Sequence, residues 1–220
     1  MGTIEDVQTS GERLDERLVQ TALRSLTDQP AERLSLRRVA EELGVSHQAP
    51  YVHFGNKRTF LAAVAGAGLQ SAVDQATVAL AESGDDPARR LHVLMEVYIA
   101  FIREHPHVHD LAYGPLVAKS DHPRLQRAAS AYWDLLHDTV GACQPSDVHE
   151  PELLRRCAAT WGTVYGIARL GALNQIPRSV PGDIDGLLHE ALDTLRVGWQ
   201  ASRGLVDRPE VRPPGDDEGA

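Results

Sequence analysis

The sequence predicts an all-α fold, and three observations carry that prediction. Apolar residues recur at helical steps of three to five from Leu14 to Trp199. Strand signals are missing, since no run alternates apolar with polar residues and no Asn-Gly or Asp-Gly pair joins β-branched runs. Prolines at positions 87, 106, 123, 151 and 181 stand where helices can start, because the first turn needs no backbone donor.

The elements follow in order. Leu14, Leu18, Val19, Ala22, Leu23 and Leu26 define a first helix, which should stop near Asp28-Gln29-Pro30. Ser35 suits an N-cap, and Leu36, Val39, Ala40 and Leu43 form one face of a second helix closed by Gly44. Ser46 is a second N-cap for a short helix from His47 to about His53, broken by Gly55-Asn56. Lys57 to about Glu82 contains no proline and should be one long helix, with Ser83-Gly84-Asp85-Asp86 as the loop before the next, Pro87 to about Glu104. Further helices are expected at 106–113, 123–143, 151–175 and 182–204, nine in all, and residues 206–220 should be a disordered acidic tail.

Bulk properties narrow the function. The 220 residues carry 42 % hydrophobic and 24 % charged residues, an ordinary globular composition, with no apolar run of the roughly 18 residues that span a bilayer. The opening MGTIEDVQTSGERLDER has neither a basic start nor an apolar signal core, so a cytoplasmic protein is expected. Two cysteines, Cys143 and Cys157, lack metal-ligand spacing and should be reduced and buried. Net charge is −9, a total that by itself opposes nucleic acid as a partner. Its distribution does not: between residues 33 and 58, Arg33, Arg37, Arg38, Lys57 and Arg58 face only Glu41 and Glu42. An acidic body with one basic face would orient the molecule on a duplex.

That basic window holds two short helices joined through Gly44-Val45-Ser46, the spacing of a helix-turn-helix. Small Ala40 lets the helices cross, Gly44 turns the chain and Val45 plugs the angle. Ser35, Arg37, Ser46, His47, Gln48, Ala49, Tyr51, His53 and Lys57 are then the candidate DNA-binding residues. Gln48 and His47 suit base edges, Ala49 a thymine methyl. Tyr51, His53 and Lys57 suit phosphates.

Residues 36–65, LRRVAEELGVSHQAPYVHFGNKRTFLAAVA, resemble the DNA-binding region of the TetR (tetracycline-repressor) family. Gly44, Val45, Tyr51, His53, Phe54, Asn56, Lys57 and Leu61 carry the resemblance. It implies a three-helix helix-turn-helix domain, 1–56, and a six-helix ligand-binding and dimerisation domain, 57–205, in a repressor released from a palindromic operator by a small molecule. Pro50 stands where the family usually has leucine and Val52 where an aromatic residue is common. Proline as the fourth residue of the short helix should distort its first turn. Trp161-Gly162-Thr163-Val164-Tyr165-Gly166 is similar to the Trp-x-x-x-His-Gly element of one C-terminal subgroup, with Tyr165 in place of histidine.

In the second half, Gly162, Gly166 and Gly171 recur along one helix, and Ile184, Leu187, Leu188, Ala191, Leu192, Leu195 and Trp199 along the last. Glycine lowers helix stability unless close helix approach offsets it. These two helices are the expected homodimer interface, as a four-helix bundle. Tyr98, Phe101, His105, Tyr113, Trp133, Trp161, Tyr165 and Arg169 are the candidate ligand-binding residues, rings with polar tips as a small organic molecule requires. Ordinary core packing competes at each position. His105, His107 and His109 invite a metal, but residues two apart on a helix point about 200° from each other and cannot converge, so no metal or other cofactor is expected. Enzyme chemistry finds no support, since Gly-x-Ser-x-Gly, His-Glu-x-x-His and a phosphate-binding glycine loop are missing. A protein-binding helical adaptor with the helix-turn-helix as scaffold is the remaining alternative.

Overall fold

The computed structural model describes residues 4–201, and their side chains from Leu14 onward. Nine α-helices and two single 3-10 turns make up its regular structure, without strands among the described residues. The helices are α1 (Ile4–Ser25), α2 (Leu36–Glu42), α3 (Ala49–Phe54), α4 (Lys57–Glu82), α5 (Pro87–Glu104), α6 (Pro106–Tyr113), α7 (Pro123–Ala142), α8 (Glu150–Ala172) and α9 (Ile184–Ala201). The expected acidic tail lies outside the described residues.

Local chemistry sets most of these boundaries. Ser35 Oγ accepts from the Arg38 N–H, Asn56 Oδ1 from the Thr59 N–H at 2.9 Å, and the Asp86 carboxylate from the Ala88 and Arg89 N–H groups. Each satisfies donors that the first turn leaves open. Prolines 87, 106 and 123 occupy helix starts as expected. The 3-10 turns at Ala31–Arg33 and Lys119–Asp121 were not foreseen, since one turn leaves no periodicity in sequence.

Helix α4 is more than a rod leading out of the N-terminal unit. Phe60 to Gly66 are buried without interruption, as in a helix that is apolar all round. Its start packs on α1 and α3, and its length on α5, α6 and α7. The approach is close. A Cβ on Gly66 would stand 2.5 Å from the backbone nitrogen of Leu125, and one on Gly68 would overlap the Val108 side chain. One apolar cluster therefore runs from Leu18 and Leu36 through α4 to Leu188 and Trp199.

Candidate nucleic-acid interface and ligand cavities

The turn between α2 and α3 is fixed by the backbone. Gly44 has φ +66°, a conformation that favours glycine, and the Val45 N–H reaches Ala40 O at 3.0 Å while the Gly44 N–H reaches Glu41 O at 3.0 Å. This double closure is a Schellman motif. It turns Val45 half inward against the core and starts the next segment at a set angle.

Two expectations for α3 are corrected. Its regular part starts at Ala49 with Gln48 at the N-cap, because Ser46 closes a separate turn, accepting from the Gln48 N–H at 3.2 Å. Pro50 is thus second in the helix and buried. At that position no donor is needed, so the first turn carries no distortion from it.

The candidate DNA-binding residues divide into two groups. Arg37, Ser46, His47, Gln48 and Tyr51 are exposed on one side, Tyr51 at 47 %. Ala49 is half-buried beside them. The others have partners within the chain: Ser35 caps α2, His53 Nδ1 is paired with Asp15 on α1, and Lys57 Nζ donates to the Glu32 carbonyl at 3.2 Å. His53 is therefore a strut between α1 and α3, not an open phosphate donor. Arg37 also bonds Glu41 at 2.9 Å and holds that carboxyl below its usual range. Sequence reasoning missed Val52, which is 78 % exposed beside Tyr51, and exposed Arg38. Helical phase relative to Tyr51 was the available signal for Val52.

The aromatic residues of the second half line two cavities. The first, of about 660 Å³, lies among α5, α6, α7 and α8 and has Met95, Tyr98, Tyr113, Trp133 and Trp161 on its walls, with Gln126, Ser130 and Asp134 as polar groups. Trp161 Nε1 donates to Tyr98 Oη at 2.9 Å, and Tyr98 Oη lies 3.0 Å from His109 Nε2. The Tyr98 oxygen keeps a second lone pair and its own proton, so its contact with His109 can run in either direction. Burial pushes the His109 pKa down to about 4, which leaves the imidazole neutral near pH 7, and that of Tyr113 up to about 12.

The second cavity, of about 750 Å³, lies between the Pro30–Glu32 segment and helices α6 and α8. Pro30, Ala31 and Glu32 form one wall, with His107, His109, Asp110 and Tyr113 of α6 and Tyr165 and Arg169 of α8 opposite. Arg169 donates to Asp110 at 2.7 Å.

Six of the eight candidate ligand-binding residues therefore border a cavity, but not the same one. Tyr98, Trp133 and Trp161 line the first, Tyr165 and Arg169 the second, and Tyr113 both. Phe101 and His105 line neither, which corrects that expectation. Phe101 is packed into the core at 3 % exposure, while His105 lies exposed in the α5–α6 link. His105, His107 and His109 thus occupy three environments: surface, cavity rim and core.

On the last helix, three of the residues expected at the dimer interface turn inward instead. Leu188, Leu192 and Trp199 are buried within the chain, so that face of α9 packs on its own body. Gly171 meets Ile184 of α9, whereas Cβ atoms on Gly162 and Gly166 would meet nothing within 4 Å. Leu154, Ala158, Gly162 and Leu170 are exposed four or eight residues apart, with Leu173 just beyond. The cysteines are buried and free, and burial raises the Cys157 thiol to about 11. No described helix is long and apolar enough to cross a membrane.

Comparison with known proteins gives matching results for both halves. Residues 18–64 match the family model for bacterial regulatory proteins of the tetR family, and residues 91–195 the model for the tetracyclin repressor-like C-terminal domain. The class C tetracycline repressor protein of Escherichia coli is 50 % identical over 50 residues, a match that spans 23 % of either chain. A protein of unknown function from Rhodococcus sp. RHA1 superposes with a TM-score of 0.72 at 28 % identity, covering 84 % of this chain and 95 % of the other. A transcriptional regulator from Rhodococcus sp. Rha1 superposes at 0.58 with 25 % identity, over 86 % and 96 %.

Proposed function

Because the chain belongs to the TetR family of bacterial regulatory proteins, we propose that it is a dimeric repressor that leaves its operator when a small molecule enters the body. The observation that carries this reading is the outward presentation of Ser46, His47, Gln48, Tyr51 and Val52 beside Arg37 and Arg38. Side chains of those types on the second helix of a helix-turn-helix meet base edges and phosphates when it enters the major groove. Ser35, Ala49 and Lys57 border that face, and Lys57 starts α4, where open N–H groups also favour an anion. The head spans residues 1–56 and the body 57–205.

The exposed stripe on α8 supports a homodimer through α8 and α9. Small residues at its centre let a partner helix approach closely, and leucines at its ends supply apolar area. Two heads related by a twofold axis would read half-sites about one helical turn apart. The first cavity is the effector site. Its ring-lined, mainly apolar walls suit an organic molecule, and Tyr98, Trp133 and Trp161 are the residues expected to touch it. Repression requires the effector to favour the arrangement that cannot bind DNA, and α4, buried in both units, transmits the change. The chain acts as a regulator without catalysis, in the cytoplasm, where its DNA lies. A gel shift with the DNA upstream of its own gene tests the reading: a retarded, salt-sensitive complex is expected, and no complex in dilute salt would overturn it.

A further inference from the structure

The first cavity has two kinds of wall. Among its rings, two polar atoms are already spent within the chain: Trp161 Nε1 donates to Tyr98 Oη at 2.9 Å, and Tyr132 Oη donates to the Leu94 carbonyl at 3.2 Å. The polar wall is different. Gln126, Ser130 and Asp134 line the cavity from α7 at steps of four residues, so they are neighbours down one side of that helix, with Asp134 about 12 Å along the axis from Gln126. Lys119 and Ser120 line the same cavity from the 3-10 turn that precedes α7. All five side chains are exposed, and none has a hydrogen bond or ion pair with another described residue. Lys119 and Asp134 are the two charged residues of the wall, one before the start of α7 and the other well along it.

We infer that the molecule this cavity takes is an elongated aromatic zwitterion, with an ammonium group at the Asp134 end and a carboxylate at the Lys119 end. The inference rests on the reading of this cavity as the effector site and adds the class of compound. Charge selects a zwitterion. An ammonium alone is drawn to Asp134 but opposed by Lys119, a carboxylate alone meets the reverse, and an uncharged compound uses neither; a molecule with both charges gains at both ends. The rings select an aromatic body, since Trp161 lies 5.5 Å from Tyr113 and 6.4 Å from Trp133 on the cavity wall. Gln126 and Ser130, which precede Asp134 along α7, suit polar substituents on its edge. A volume near 660 Å³ falls within the ordinary range of ligand pockets.

The test uses the full chain labelled with ¹⁵N, in dilute salt, where exposed charges are least screened. The probe is 4′-(aminomethyl)biphenyl-4-carboxylate, with 4-phenylbenzylamine and biphenyl-4-carboxylate as its singly charged counterparts. The zwitterion should move the Trp133 and Trp161 indole resonances, leave that of Trp199 in place, and bind more tightly than either counterpart. Asp134→Asn should weaken the zwitterion and the amine by about fivefold, the upper range for a solvent-exposed ion pair, and not the acid. Lys119→Met should weaken the zwitterion and the acid by about as much, and not the amine. Both positions are exposed, so the variants should fold, and the order of the three compounds on the unaltered chain is a test without them. Equal affinities, or losses that do not follow the charges, would overturn this inference alone, because the indoles would still mark the cavity as a small-molecule site. No indole shift with any of the three would overturn the inference and the effector-site reading together.

Discussion

The head and the body carry their chemistry in opposite directions. In the head the candidate DNA-contacting side chains of Ser46, His47, Gln48 and Tyr51 point outward, and positions a few residues apart on one short helix and its turn decide which they are. In the body they point inward, and partners far apart in sequence decide, as when Trp161 meets Tyr98 and Tyr98 meets His109. A surface that reads a rigid external partner can be built from local helical phase. A cavity needs several helices brought together, and its polar atoms must find partners inside it.

Several experiments break or sharpen that contrast. The largest effect is expected from Gly162→Glu. The position opens on solvent within one chain, so the monomer should fold. An unpaired carboxylate buried between two α8 helices should weaken dimerisation by about 3–5 kcal/mol, read as a halved mass in light scattering. An unchanged dimer would move the interface off α8. Next comes Gly66→Ala, where the added Cβ meets the backbone of Leu125, which cannot swing aside as a side chain can. A loss of about 2–3 kcal/mol in urea denaturation is expected. A neutral result would mean that α7 can slide along α4.

His109 sets a pH dependence in the body alone. Its folded-state pKa, about 4, lies below the unfolded value of about 6.5. The unfolded chain therefore takes up a proton first as pH falls. Stability from this group is complete above about pH 6.5 and is lost progressively down to about pH 4, roughly 2 kcal/mol of it by about pH 5. In His109→Gln the part of the pH dependence due to this group should vanish, whatever the fixed cost of the substitution. The smallest effects belong to the head. Tyr51→Ala should weaken operator binding by about 1 kcal/mol, and Lys57→Ala should lower the slope of log affinity against log salt by about one. Neither should alter dimer mass. A change in mass with either would show that head and body are less separable than their geometry implies.

What the sequence determined by itself is everything governed by neighbours along the chain. Helix starts follow from Ser35, Asn56, Asp86 and the prolines, the turn from Gly44, and the exposed candidate face from Ser46 to Gln48 in the turn and Tyr51 on the helix. Each is settled by a hydrogen bond or a dihedral angle within about five residues. Tertiary structure decided what depends on distant partners. It withdrew His53 to Asp15, sealed Phe101 in the core, left His105 outside, and divided the remaining aromatic residues between two cavities. It also turned Leu188, Leu192 and Trp199 onto their own body and left Gly162 and Gly166 open. The physical reason is that helical periodicity shows that a face is apolar, but not which apolar surface will cover it.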